Sequence, residues 1–127
     1  MVYSKNELAS YRLSKAKEDL FSLRELLKND LFAQSINRSY YAVFHATRSL
    51  LAIDGYDSKK HSGVIHFFNQ NYIAPQKIEK EYGKILVIAF NIRVRADYHD
   101  FFIASRSDAE TQIKNAEKFL LMIENYL

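Results

Sequence analysis

Apolar residues recur in steps of three and four along almost the whole chain, and this spacing limits the fold more than any other feature. Such steps keep residues on one face of a helix. The four long stripes are Leu13, Ala16, Leu20, Leu23 and Leu27; Ile36, Tyr40, Val43, Thr47 and Leu50; Ile78, Tyr82, Ile85, Ala89, Ile92 and Ala96; and Ala109, Ile113, Ala116, Leu120, Ile123 and Leu127. A shorter apolar segment covers residues 61–72. The pattern predicts an all-α, antiparallel up-and-down bundle of four long helices plus one shorter helix, forming a single domain over 1–127.

Residues that favour helix ends place the predicted boundaries. Residues 4–7 and 107–110 each read as a capping box, in which a serine and a glutamate satisfy exposed backbone donors. Asp30 can cap the second helix. Pro75 suits the first turn of the fourth helix, and the helical pattern ends after Tyr98. The second helix is apolar on more than one side, which indicates that it lies at the centre of the bundle.

Composition excludes several classes of protein. Three glycines and one proline in 127 residues are too few for a loop-rich sandwich or a glycine-rich nucleotide-binding fold. The chain has no cysteine, so disulfides, thiolate metal sites and a cysteine nucleophile are excluded. It also has no run of about 20 apolar residues for a membrane helix and no signal peptide pattern, so we expect a cytoplasmic protein without membrane contact. A net charge of +3 favours polyanions weakly.

The residues best suited to chemistry follow the fourth stripe, from Arg93 to His99. Arginine binds phosphate as a rigid fork, and histidine moves protons near neutral pH. In a continuous helix Arg93 and His99 would lie about 9 Å apart along the axis and about 240° apart around it. They can act together only if the helix breaks near Tyr98 or if two subunits pool their motifs. Asp97 is the local partner for Arg93 at an offset of four, and Arg95 is the local neighbour of His99. A salt-bridged helix end explains the same residues without function.

The second helix carries a polar and aromatic stripe made of Arg38, Tyr41, His45 and Arg48. Their offsets place them within an arc of about 80°, along which a phosphate can lie. A solvated or interface face with a hydrogen-bonded His45 is the alternative interpretation.

A third candidate is the start of the short helix, where Lys60 and His61 precede a serine and a glycine. Exposed backbone N–H groups at a helix start attract anions, although a helix cap beside a solvated loop explains the same residues. His61 and His66 have the wrong spacing for two metal ligands on one face. We therefore expect no metal and no cofactor.

The aromatic content exceeds what one small bundle needs. Seven large side chains have no clear place in the core: Tyr41, Phe44, Phe67, Phe68, Phe90, Phe101 and Phe102. Some of them are expected to form a homodimer interface, which would be rich in aromatics and arginine. Packing within the chain is the competing explanation for each.

Four blocks of sequence together resemble the HEPN superfamily, in particular its small stand-alone bacterial and archaeal members. The blocks are SYYAVFHA at 39–46, KHSGVI at 60–65, RADY at 95–98, and a closing helix from DAE to AEKFL at 108–120. The resemblance covers nearly the whole chain. It implies a helical bundle that is usually a homodimer and is often encoded beside a minimal nucleotidyltransferase in toxin–antitoxin pairs.

The resemblance also implies roles for two residues. Many HEPN proteins are metal-independent ribonucleases with an Arg-x4-6-His motif composed across the dimer, which Arg93 and His99 match. In that mechanism His99 moves a proton and Arg93 stabilises charge on the phosphate. One toxin group carries a tyrosine that its partner modifies two residues after the histidine, and this chain has Phe101 there. Two hypotheses follow: a dimeric RNA-cleaving toxin, or a non-catalytic module that binds RNA, a nucleotide or a nucleotidyltransferase.

Overall fold

A computed structural model describes residues 3–127, and its regular structure is entirely helical. The helices are α1 Lys5–Lys28, α2 Phe32–Ile53, α3 His61–Phe68, α4 Lys80–Tyr98 and α5 Arg106–Tyr126. A π-helical segment, Asn69–Ile73, continues α3. The predicted fold class, four long helices and one shorter helix, is confirmed.

Cross-helix contacts establish that α1 is antiparallel to α2 and to α5, and that α2 is antiparallel to α4. Between α1 and α2, the Ser35 hydroxyl donates to the Leu23 carbonyl and the Ser49 hydroxyl donates to the Ala9 carbonyl. The residue numbers rise on one helix as they fall on the other. The α1–α5 ion pairs, Arg24 with Glu117 and Lys17 with Glu124, run in the same opposed sense. The α2–α4 pairs, Asn37 with Asp97 and Tyr41 with Arg93, also run in opposed directions.

Helix α2 lies at the centre of the bundle, as its apolar circumference predicts. It contacts α1, α3, α4 and α5. Its stripe is fully buried, and Tyr40 is 0% exposed. Among the aromatics without a predicted place, Phe44 and Phe68 belong to the core, whereas Phe101 is 97% exposed.

Three predicted helix boundaries are wrong, for local physical reasons. Asp30 does not cap α2: its backbone is left-handed, at φ 59°, and its carboxylate pairs with Arg106. Helix α4 begins at Lys80 and not at Pro75, because the chain first makes a turn that buries Ile78. Helix α5 begins before the predicted box at residues 107–110. At α1, Ser4 does cap the helix, since its hydroxyl oxygen accepts from the Glu7 N–H.

The start of α5 provides a stability test. The Ser105 side chain accepts from the Asp108 N–H at 3.0 Å, and the Asp108 carboxylate accepts from the Ser105 N–H at 3.2 Å. Ser105→Ala removes one half of this capping box and is expected to lower the free energy of unfolding by about 1 kcal/mol. Ser107→Ala is the matched control, since this exposed serine does not cap the helix. Urea unfolding of the two variants should separate them, and equal midpoints would contradict the assignment of the cap.

No helix among residues 3–127 is both long enough and apolar enough to cross a membrane.

Candidate functional site

Arg93 lies near the end of α4 and is held against α2 by several contacts. Its Nε lies 3.1 Å from Asp97 Oδ2, as the offset of four predicts. Its Nη2 donates to the Tyr41 hydroxyl oxygen at 3.2 Å. The guanidinium carbon lies 5.4 Å from the ring centroids of both Tyr40 and Tyr41. Such cation–π and ion-pair contacts hold the guanidinium in one orientation. Its charge lies at the edge of an aromatic cluster formed by Tyr40, Tyr41 and Phe44.

His99 follows the break at the end of α4. Helix α4 ends at Tyr98, and the backbone of His99 is extended, at φ −101° and ψ 115°. The sequence condition that the helix break near Tyr98 is therefore met. His99 is exposed and lies beside Phe101 and Phe102. Among residues 3–127 it forms no hydrogen bond or ion pair with Arg93. Arg95 does not pair with His99 through its side chain: its guanidinium lies 5.7 Å from the Phe102 ring centroid.

The predicted stripe on α2 forms one continuous face. The Arg38 guanidinium lies 4.8 Å from the Tyr41 ring centroid, and the Tyr41 and His45 rings are 5.9 Å apart. Arg48 continues the face, 6.0 Å from the ring centroid of Phe44. Tyr41 is thus flanked by two guanidiniums, Arg38 and Arg93.

Two carboxylates from outside α2 anchor this stripe. Asp19 of α1 accepts from Arg38 at 3.1 Å and lies 3.7 Å from His45 Nε2. Asp57, in the loop after α2, accepts from Arg48 at 2.8 Å and from Arg12 at 3.1 Å. The arginines are therefore ordered by ion pairs, and the stripe is not a freely solvated face.

A chain of polar contacts joins the stripe to Arg93. Asp97 accepts from the Asn37 side-chain amide at 3.0 Å, and the Asn37 oxygen accepts from Arg38 Nη2 at 3.1 Å. Arg38 in turn binds Asp19. An open groove of about 710 Å³ lies beside these contacts, bordered by Arg38, Asp97 and Tyr98. The structure thus brings Arg93 and Asp97 of α4 to the same surface as the α2 stripe.

His61 contacts the same ring as Arg93, that of Tyr40. Its Nδ1 is 2.5 Å from the Tyr40 hydroxyl, and its ring stacks on Phe44 with centroids 4.4 Å apart. Burial, with the charges of Arg93 and Arg48, lowers the pKa of His61. Burial also raises the pKa of Tyr40. The backbone of Lys60 caps α3, and the Lys60 side chain is exposed.

The pKa of His45 reflects the electrostatics of the stripe. Burial, together with the nearby cations Arg48 and Lys15, lowers the pKa of His45 to about 4. The unfolded chain protonates this histidine near pH 6.5. Between about pH 6.5 and 4 the unfolded state binds more protons, so the free energy of unfolding falls as the pH falls through this window.

We expect His45→Gln to reduce that fall by roughly 1–3 kcal/mol between pH 7 and pH 4.5, measured by urea unfolding. His66→Gln is the control, because His66 is exposed on α3 and the variant should keep the wild-type dependence. Asp19, whose pKa is raised by burial, contributes with the opposite sign in all three proteins. An unchanged pH dependence in His45→Gln would contradict a partly buried imidazole that is neutral in the folded state.

Sequence reasoning missed five residues that build this surface. They are Arg12, Asp19, Asn37, Tyr40 as a hydrogen-bonding group, and Asp57. The sequence contains a pattern that could have identified two of them, because Arg12 and Asp19 are charged residues at helical spacing on the buried face of α1. Within residues 3–127 no cluster of three or more histidine, aspartate or glutamate side chains is arranged to hold a metal ion.

Comparison with known proteins identifies the family. A family model described as HEPN domain matches residues 9–126. A UPF0332 protein of Thermotoga maritima is 33% identical over 123 residues, which cover 97% of this chain and 93% of the relative. The protein named "Putative toxin MJ0605" of Methanocaldococcus jannaschii is 35% identical over 112 residues, which cover 88% of this chain and 83% of the relative. The chain belongs to the HEPN domain family.

Proposed function

We propose that the protein is a toxin-type endoribonuclease that cleaves RNA without a metal ion, through Arg93 and His99 at a cleft between two subunits. The observation that carries the proposal is the ordered Arg93 guanidinium beside the helix end that presents His99. The naming of two relatives as toxins supports the biological role.

The chemistry needs one proton carrier and one cation. The 2′-hydroxyl of the substrate attacks phosphorus, the bond to the 5′ oxygen breaks, and the products are a 2′,3′-cyclic phosphate and a 5′-hydroxyl. His99 takes the proton from the nucleophile or gives one to the leaving oxygen. Arg93 stabilises the negative charge that grows on the nonbridging oxygens.

The dimer brings together two groups that are separate in one subunit. Arg93 contacts α2, whereas His99 is exposed on the loop after α4. A twofold axis near this loop would place His99 of one copy beside Arg93 of the other, and it would create two equivalent sites. Tyr98, Phe101 and Ile103 are 69%, 97% and 87% exposed, so the same loop offers apolar surface to bury on assembly.

The α2 stripe supplies the RNA-binding surface of this proposal. Guanidiniums bind phosphates, and the partly exposed His45 ring can stack on an unpaired base. Asp19 and Asp57 lower the net charge of the stripe while fixing the positions of Arg38 and Arg48. Because affinity from such contacts depends on counterion release, RNA binding should weaken steeply with salt.

The test is incubation of the purified protein with structured and single-stranded RNA in the presence of a chelator. Cleavage that yields 2′,3′-cyclic phosphate ends, and that is lost on substrates with 2′-deoxy residues at the cut site, supports the proposal. Absence of cleavage by a folded, dimeric protein on both classes of RNA contradicts it.

The exposed loop favours a second candidate function, a non-catalytic module that docks a minimal nucleotidyltransferase. Phe101 and Ile103 provide an apolar surface of the kind that protein partners bury. Phe101 stands where one toxin group has its modified tyrosine, so docking here would not lead to modification at this position. RNA binding without cleavage, together with a stable complex formed through this loop, is the outcome that would favour it.

A further inference from the structure

The surface between Arg93 and His61 has more hydrogen-bond donors than acceptors. Tyr41 and His61 are partly exposed, and their ring centroids are 6.0 Å apart in an edge-to-face arrangement. Both rings pack against Phe44, which forms an apolar base beneath them. Each polar group at the rim of this base acts as a hydrogen-bond donor or as an acceptor.

The Tyr40 hydroxyl fixes the tautomer of His61. Tyr40 is 0% exposed, so its hydroxyl proton needs an acceptor, and His61 Nδ1 at 2.5 Å is the acceptor that the described residues provide. An imidazole that accepts at Nδ1 carries its proton on Nε2 when it is neutral. His61 thus presents an Nε2–H donor, for which residues 3–127 provide no acceptor.

Tyr41 presents a second donor. Its oxygen accepts from Arg93 Nη2, and its own hydroxyl proton has no acceptor among the described residues. Donation from a guanidinium polarises the hydroxyl and strengthens it as a donor toward an anion.

Positive charge completes the surface. Arg93 adjoins Tyr41 directly, and Arg48 lies close enough to His61 to lower the proton affinity of its ring. Arg48 Nε is buried and lacks a hydrogen-bond partner among residues 3–127. Asp97 neutralises part of the charge of Arg93 on the side of Nε. Unsatisfied donors under positive potential select an anion with several acceptor oxygens.

We propose that this surface binds one phosphate group through the His61 Nε2–H, the Tyr41 hydroxyl and the Arg93 guanidinium. With the two ring centroids only 6.0 Å apart, one tetrahedral oxyanion can accept from a donor on each ring, because each hydrogen bond spans about 2.8 Å. That the bound phosphate belongs to RNA rests on the proposed function. The site adds to that function, because it would hold a backbone phosphate of the RNA within one subunit. His61 here is a neutral donor and not the proton carrier, a role that stays with His99.

Nuclear magnetic resonance of the imidazole nitrogens tests both steps of this inference on the full chain. The His99→Ala variant is used at pH 7.5 without RNA, so that catalysis plays no part. The His61 ring should show the Nε2–H tautomer before any addition. Titration with inorganic phosphate and with dimethyl phosphate, a diester, should shift the His61 ring signals in a saturable way. Matching titrations with chloride separate a specific site from ionic strength.

The matched variants are His61→Asn and His66→Asn. Asparagine can replace the Nδ1 acceptor for Tyr40 but cannot replace the Nε2–H donor, so His61→Asn should fold and bind phosphate about tenfold more weakly. Tyr41→Phe keeps the ring beside Arg38 and Arg93 but loses the hydroxyl, and it should also weaken binding. His66→Asn, on the exposed side of α3, should bind as the parent does.

Three results would overturn the site: an Nδ1–H tautomer at His61, no saturable shift of its ring signals, or unchanged phosphate affinity in a folded His61→Asn protein. These results are independent of the ribonuclease proposal. Phosphate binding at His61 without RNA cleavage by the wild-type protein rejects the nuclease and keeps the site. Cleavage without phosphate binding at His61 does the reverse.

Discussion

Under the proposed mechanism, Arg93→Ala and His99→Ala are each expected to lower the rate of RNA cleavage about 10²–10⁴-fold, with the fold and the proposed dimer intact. In that mechanism, loss of Arg93 removes the cation that stabilises charge on the phosphate, and loss of His99 removes the proton carrier. Because both act in the transition state, the loss should appear in kcat more than in KM. Single-turnover cleavage of a labelled RNA in chelator measures it. Circular dichroism and sedimentation check the fold and the dimer of each variant.

Mixing the two inactive variants tests whether the site is shared between subunits. If Arg93 of one copy works with His99 of the other, a heterodimer of Arg93→Ala and His99→Ala contains one intact site and one doubly defective site. Random exchange makes half of the dimers heterodimers, so about a quarter of the wild-type activity should return. A site contained within one subunit would give no recovery. Full activity of each variant on its own would remove both residues from the mechanism.

His66→Ala is the matched control for His99→Ala, since both histidines are exposed. It should leave the cleavage rate unchanged. Arg95→Ala is the corresponding control for Arg93→Ala: it removes an arginine from the same helix, but one whose guanidinium lies against Phe102 and not against α2. An equal loss in Arg95→Ala would assign the effect to general loss of positive charge.

The sequence was sufficient for the helices because each long helix turns one continuous stripe toward the core, although Leu13, Leu20 and Leu27 of the predicted α1 stripe are only partly buried. The stripe of α2 is buried in full, and the stripe of α5 is buried up to Ile123. Helix ends were harder to predict, because the backbone conformation of the chain entering the helix determines which serine caps it. Ser105 and Ser107 look alike in sequence, yet the backbone of Ser105 has the extended conformation that a cap requires.

The buried face of α1 shows why much of the candidate site was not predictable. Ala9, Arg12, Ala16, Asp19 and Leu23 follow one another in steps of three and four, and all five are buried. Reading that stripe would have singled out two charged residues that need partners inside the protein. It could not have named the partners, since Arg38 and Asp57 come from α2 and from the loop that follows it.

The Arg93 motif illustrates the same limit. The pairing of Arg93 with Asp97 depends only on helical spacing, so the sequence predicts it. The contacts of Arg93 with Tyr40 and Tyr41 depend on how α4 crosses α2, which no local pattern determines. His61 reaches the same rings only because α3 folds back over Phe44.

Phe119→Ala is expected to lower the free energy of unfolding by about 3–5 kcal/mol, the largest stability effect that we predict for a single substitution in this protein. Phe119 is 0% exposed. Its ring lies 5.8 Å from that of Phe68 and 6.1 Å from that of Tyr82, so it joins α5 to α3 and α4. Truncation removes the ring and leaves a cavity that three helices cannot close without moving. Urea unfolding should show a lower midpoint with an unchanged slope.

Phe101→Ala is the matched control, and it separates the two uses of phenylalanine in this chain. Phe101 is 97% exposed, so its removal costs the subunit little packing and should change the free energy of unfolding of the monomer by less than about 0.5 kcal/mol. If the loop after α4 forms the subunit interface, the same substitution should weaken the dimer, measured by sedimentation over a range of concentrations. A large loss of monomer stability in Phe101→Ala, or a negligible one in Phe119→Ala, would contradict the placement of these rings. A stable Phe101→Ala protein that stays fully dimeric would move the interface away from this loop, and with it the shared Arg93 and His99 site.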